Sequence, residues 1–251
     1  MTNPLQQHFR QSKLFVSLPS KGIYNKAGAI QGDPEKIAVF GMTGSDEILM
    51  KTPDTLLTGE STVKVFESCC PAIKDGWDIC SLDTDVLLAA IRIATNGNTV
   101  TVTKTCDDEE CGALNDYDID LSDIIDHFAN CKYESKIVID SLIIKIQPLT
   151  YKQTSEYSTK NFRIQKQMQQ VMLLEDEEVK NEHFAKLFTE LSQIQLDIFT
   201  DSVESVDIGT TVVTEKRYIN EWLQNCDKMI FDEIKKQFNK NKEDWKVPPV
   251  A

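Results

Sequence analysis

Residues 136–172, KIVIDSLIIKIQPLTYKQTSEYSTKNFRIQKQMQQVM, contain the change of period that decides the fold. Up to Ile146 the apolar residues run in short β-branched stretches, and Pro148 closes them because proline cannot donate to a central strand ladder. This run reads as two strands broken near Asp140-Ser141, or as one bulged strand. From Thr150 the apolar residues recur at helical intervals, at Tyr157, Ile164, Met168 and Val171 or Met172. The segment is dense in Gln and Lys and reads as a surface helix or a long hairpin arm. The expected fold is α+β: a small mixed or antiparallel sheet with short helices over residues 1–149, then a mostly helical half over residues 150–251.

Downstream, Glu175 to Glu178 interrupts the pattern with acids. Phe184, Leu187, Phe188, Leu191, Ile194 and Ile198 then mark an amphipathic helix that must bury its stripe. Residues 202–209 read as a connection. Thr214 is then expected to cap one helix running to about Asn239, with Tyr218 or Ile219, Trp222, Leu223, Cys226, Met229, Ile230, Ile234 and Phe238 in its stripe. Most of both stripes is expected to pack together within the chain. Phe162, Met168, Met172, Phe231 and Trp245 are less committed to that packing and are the candidate partner-binding residues. Methionine adapts to irregular surfaces, and an aromatic in a charged tail such as KEDWKVPPVA can anchor a partner.

Upstream, Leu14 to Leu18 and Lys36 to Phe40 read as strands, the first stopped by the turn residues Pro19-Ser20-Lys21-Gly22. Thr43 with Asp46, or Ser45 with Glu47, fits a helix N-terminus. Ser81 to Thr95 is the clearest helix of this half, with Ser81 as its cap, Leu82, Val86, Leu87, Ala90, Ile91 and Ala94 on one side, and Asn96-Gly97 at its end. Thr99 to Lys104, TVTVTK, alternates as a strand does. Asp118 to Leu121 is expected to pair with it, so that Cys106-Asp107-Asp108-Glu109-Glu110-Cys111 lies at the tip of a hairpin.

With 27 Lys and Arg against 40 Asp and Glu, the 251-residue chain carries a formal net charge of -13. That charge repels nucleic-acid phosphates and anionic membrane surfaces, so neither is an expected partner. Apolar runs such as Leu142 to Ile144 fall far short of the roughly 20 residues of a spanning helix, and MTNPLQQHFR lacks the apolar stretch of a signal peptide. Seven cysteines in such a chain point to a reducing cytoplasm and away from a disulfide framework. The sequence contains no GxxxxGK, GxGxxG, HExxH or GxSxG motif, and no base stands beside a nucleophile. A non-enzymatic protein is expected.

Cys106 and Cys111 have the order of spacing with which a turn lets two thiolates hold one zinc ion. A complete site needs two more ligands, and the candidates are the distant Cys69 and Cys70, with Cys80, Cys131 and His127 further options. The cofactor expectation is therefore either none or one structural zinc.

A set of short motifs adds a resemblance. These are Leu18-Pro19-Ser20-Lys21-Gly22, Met42-Thr43 with Asp46-Glu47, Lys51-Thr52-Pro53-Asp54 with Gly59 and Cys69, Leu82 to Arg92, Tyr117-Asp118-Ile119-Asp120-Leu121, and Gln147-Pro148-Leu149-Thr150-Tyr151. In that order they resemble the baseplate hub assembly family of contractile-tailed phages, over roughly residues 15–151. The family's tighter CxxC is here widened by two acidic residues between Cys106 and Cys111. The resemblance implies an assembly factor that binds phage baseplate hub proteins in the host cell cytoplasm. It leaves open a structural hub subunit retained in the virion, a zinc-stabilised regulatory module, and a homo-oligomer.

Overall fold

A computed structural model describes residue 5 and residues 8–106 and 111–247. The chain divides into two compact units, Met1–Cys131 with Trp245–Ala251, and Lys132–Asp244. The fold is α+β, with antiparallel pairing throughout its small sheets and a second half dominated by helices.

In the first unit β1 (Ser12–Val16) pairs with β2 (Ile37–Phe40). Three short helices follow, α1 (Gly44–Met50), α2 (Pro53–Thr58) and α3 (Glu60–Cys69), and Pro53 and Gly59 set where they break. Helix α4 (Ser81–Asn96) packs on β1 and β2 and buries Val86, Leu87, Ala90 and Ile91 in a core with Val16, Leu18, Ile37, Val39 and Phe66. Ser81 is its first helical residue and not its cap; Cys80 takes that place without a side-chain bond. Strands β3 (Thr99–Thr105) and β4 (Leu114–Asp120) form a ribbon in unbroken register from Thr99↔Asp120 to Thr105↔Leu114. Asp120 then caps α5 (Leu121–Asn130).

Two polar clusters fix the loops of this unit. Fully buried Asp83 accepts hydrogen bonds from the Ser20 N–H (2.8 Å), the Ser20 hydroxyl (2.6 Å) and Asn25 Nδ2 (3.1 Å), and Asn25 Oδ1 accepts from the Cys80 N–H at 2.6 Å. The Pro19–Gly22 turn is thus tied to the start of α4. Burial holds the Asp83 carboxyl above its ordinary range, outweighing the bonds from Ser20 and Asn25. Gly22 has φ 77, and a Cβ there would meet Pro34 Cγ at 2.6 Å, so the turn requires glycine on both counts.

The second cluster is centred on Asp46, which forms a capping box with Thr43 at the head of α1. It also accepts from the Ser68 hydroxyl at 3.1 Å and pairs with Arg10 at 3.4 Å. Arg10 continues to the carbonyls of Gly41 and Ser68, each at 2.7 Å. Burial pushes the Asp46 carboxyl upward, but the bonds from Thr43 and Ser68 and the Arg10 charge prevail and hold it below its ordinary value.

The second unit is built on the sheet β5 (Lys136–Ile139), β6 (Leu142–Ile146), β7 (Val203–Ile208), β8 (Thr211–Val213), in that spatial order. Helices α8 (Lys216–Asn225) and α9 (Lys228–Asp244) bury Ile219, Leu223 and Ile234 with Ile137, Ile144, Ile146, Val203 and Val206 of the sheet and with Phe199. Between the neighbouring strands β6 and β7 the chain runs out and back as α6 (Tyr151–Met172) and α7 (Glu177–Ser202).

Three expectations are corrected here. Residues 202–209 are not a connection, because 203–208 form β7, paired with β6. The helix expected from Thr214 to Asn239 is two helices, broken where Cys226 adopts extended backbone at φ -71, ψ 159. The units divide after Cys131 and not after residue 149, since pairing of β6 with β7 draws the 136–146 hairpin into the second unit. Among the described residues, no helix is long and apolar enough to cross a membrane.

Candidate protein-interaction site

The arm made by α6 and α7 is rigid at its base. Thr150 caps α6 through a reciprocal pair, accepting from the Gln153 N–H while Gln153 Oε1 accepts from the Thr150 N–H at 3.0 Å. Gln153 Nε2 and the Tyr157 hydroxyl both donate to Asp201 Oδ2, at 3.0 and 2.9 Å. At the end of α7, where carbonyls lack helical partners, Lys216 Nζ donates to Thr200 O (3.1 Å), Asp201 O (2.9 Å) and Val203 O (2.6 Å). Partial burial lowers the Lys216 pKa, against the opposing pull of Asp201 and Glu204.

Along the arm, Tyr157, Ile164 and Val171 of α6 are buried against Leu187 and Ile194 of α7, with Met168, Phe184, Leu191 and Ile198 packed beside them. The seven-residue steps are those of one helical face. That seam does not use all the apolar residues. Phe162 is 52% exposed, Met172 62%, Leu173 83% and Phe188 59%. Leu173, Leu174 and Val179 stand at the turn with the acids Glu175 to Glu178 between them, and all are exposed. Beside the turn lies an open groove of about 410 Å³, lined by Gln167, Gln170, Val171, Leu174, His183, Lys186, Leu187 and Glu190.

The five residues expected to bind partners separate accordingly. Phe162 and Met172 are exposed on the arm. Met168 packs into the arm seam, and Phe231 packs edge-on against Phe199 at 5.4 Å in the core under the sheet. Trp245 stacks on buried Phe128 with ring centroids 5.8 Å apart, so its ring is already engaged within the first unit. Phe188, expected within the buried stripe of its helix, is exposed instead, whereas Leu173, Leu174 and Val179 do not stand out in the sequence pattern, although Met172-Leu173-Leu174 is one apolar residue too many for a single helical stripe.

A second exposed surface is the β3–β4 ribbon. One face carries Thr101 and Thr103, whose hydroxyls donate to Asp118 and Asp116 at 2.7 and 2.6 Å. The other face carries Val102 opposite Tyr117, both exposed. Cys106 directly follows β3, and its N–H donates to Ala113 O at 2.8 Å. Cys111 is exposed, and residues 107–110 lie outside the described residues.

Cys69 and Cys70 are fully buried at the end of α3, with Arg10 Nη1 3.6 Å from Cys69 Sγ. Among the described residues no group of three or more His, Cys, Asp or Glu side chains is placed to hold a metal ion. His127 Nε2 lies 3.7 Å from Cys131 Sγ and 3.1 Å from Lys246 O.

Compared with protein-family models, curated proteins and solved structures, the chain shows no match to any of them.

Proposed function

We propose that this chain is a non-enzymatic assembly factor that binds other proteins through its helical arm, and that its partners are baseplate hub proteins of a contractile-tailed phage assembling in the host cell. The observation that carries the reading is the apolar surface left over by the arm. Phe162, Met172, Leu173 and Phe188 stay exposed although the arm already owns a closed seam. Burying such side chains on a partner contributes about 25 cal/mol per Å² of apolar area. The acidic surface steers encounter and disfavours wrong contacts. The two clusters around Asp83 and Asp46 support the same reading, since each spends its carboxylate on holding loops in place. The phage assignment is supported by the order of short motifs from Leu18 to Tyr151.

Co-expression of the tagged chain with individual baseplate hub proteins tests it. The expected result is co-purification of a defined hub protein in fixed ratio; absence of any such complex overturns the assignment. Mass spectrometry of purified particles then separates a transient factor, missing from them, from a subunit retained in stoichiometric amount.

A further inference from the structure

Resting on the reading of the chain as a protein-binding factor, we propose that the tip of the arm is its docking point, and that the tip receives a protein segment in which a large apolar side chain is flanked by Lys or Arg. Turns are ordinarily polar, yet this one exposes Met172, Leu173 (83%), Leu174 (39%) and Val179 (41%) together. The adjoining groove has an apolar floor of Val171, Leu174 and Leu187, and its volume of about 410 Å³ accommodates one leucine or aromatic anchor. The 22 residues of α6 span about 33 Å at 1.5 Å per residue, so the tip stands well clear of its own sheet.

The charge of the tip identifies the occupant. Four consecutive acids, Glu175 to Glu178, border the apolar residues. Asp176 is spent on capping α7 through the N–H groups of Glu178 and Val179, and Glu177 pairs with Lys180 at 3.1 Å. Glu175 and Glu178 have no ion pair among the described residues. The groove's own cation, Lys186, is already paired with Glu182 at 2.6 Å, so the open carboxylates of the turn and Glu190 of the groove favour cationic flanks and repel acidic ones. A second copy docking tip to tip would set one acidic turn against another in a chain of net charge -13, which disfavours that occupant.

The probe is a short amphipathic peptide of leucine and lysine with one tryptophan, measured by fluorescence anisotropy against the full-length chain. Its two controls replace leucine by serine, or lysine by glutamate. The leucine–lysine peptide is expected to bind and both controls to fail. Glu175→Lys with Glu178→Lys, and separately Met172→Ser with Leu173→Ser, should each weaken binding by about tenfold or more. Asp116→Lys with Asp118→Lys on the β3–β4 ribbon makes the same change of charge at residues that are no part of the proposed site, and should change binding by less than about twofold. All these side chains are exposed, and circular dichroism confirms that each variant is folded. Equal binding by the tip variants, equal binding of the serine control peptide, or an equal loss in the ribbon variant overturns the proposal. So does a sedimentation shift from dimer to monomer on Met172→Ser with Leu173→Ser, which would make a second copy the occupant. Hub proteins captured as well by tip variants as by the parent chain remove the tip and leave the assembly reading standing. Tip-dependent peptide binding without hub capture does the reverse.

Discussion

Tyr157 and Asp201 are joined across the base of the arm, the phenolic hydroxyl donating to the carboxylate at 2.9 Å. Burial first, and then the Asp201 charge, pushes the ionisation of this phenol upward. The folded state therefore keeps a proton that the unfolded chain releases above about pH 10, and stability falls as pH rises past that point. Tyr157→Phe is expected to lose about 1–2 kcal/mol at neutral pH and to flatten the alkaline loss. Urea unfolding followed near pH 7 and again above pH 10 measures both effects.

Lys216 bonds to three carbonyls at the end of α7. Lys216→Met keeps the aliphatic stem and deletes the donors. The expected loss is about 1 kcal/mol, at the low end for charged hydrogen bonds because the side chain stays partly hydrated. A lower urea midpoint with an unchanged slope would show that the fold persists while the end of α7 is weakened.

Asp46 and Asp83 should bend the acid limb of the stability curve in opposite directions. Asp46 is held below its ordinary value, so its contribution is present above about pH 4 and disappears as pH falls through its folded value. Asp83 is held above its ordinary value, so its contribution is lost as pH rises from about 4 through its folded value. Asp46→Asn should flatten the loss on acidification, and Asp83→Asn should flatten the loss on raising the pH. Unfolding measured at intervals from about pH 3 to pH 7 reads the two signs.

The cysteines should label in the order of their exposure. Cys111 is exposed and Cys106 partly so, whereas Cys69, Cys70 and Cys80 are fully buried, and burial pushes the Cys70 thiol up to about 12. A maleimide at neutral pH is expected to take Cys111 first and Cys106 after it, leaving the buried three until the chain unfolds. Repeating the reaction with added zinc tests the metal reading directly: protection of Cys106 and Cys111 together supports it, and unchanged rates remove it.

Much of this architecture could be read from periodicity, because local pattern and final packing coincide. The seam residues Tyr157, Ile164, Leu187 and Ile194, the Thr43–Asp46 cap and the β3–β4 pairing all announce themselves within a few positions of sequence. Strand β7 does not. Its partner β6 precedes it by a whole helical arm, and Ser205, small and polar, occupies a buried position that breaks the apolar alternation. The break between α8 and α9 is concealed for a different reason. Leu223, Cys226 and Ile230 keep a helical spacing straight across it, and no glycine or proline marks it. Among the partner-binding candidates, exposure separates Phe162 from Phe231, a distinction that hydrophobicity alone cannot make, since each is an aromatic on an amphipathic helix.

The arm leaves the sheet from β6 and re-enters at the adjacent β7, where the Gln147 N–H closes on Ser202 O at 2.8 Å. Its two ends are held side by side, so the excursion is an insert within an otherwise continuous meander. Whole heptads can be added to or removed from both helices in matched pairs without changing how the strands meet. Related chains are then free to diverge in reach by insertion and deletion here while the platform beneath stays constant, and a shortened or transplanted arm becomes a practical engineering unit.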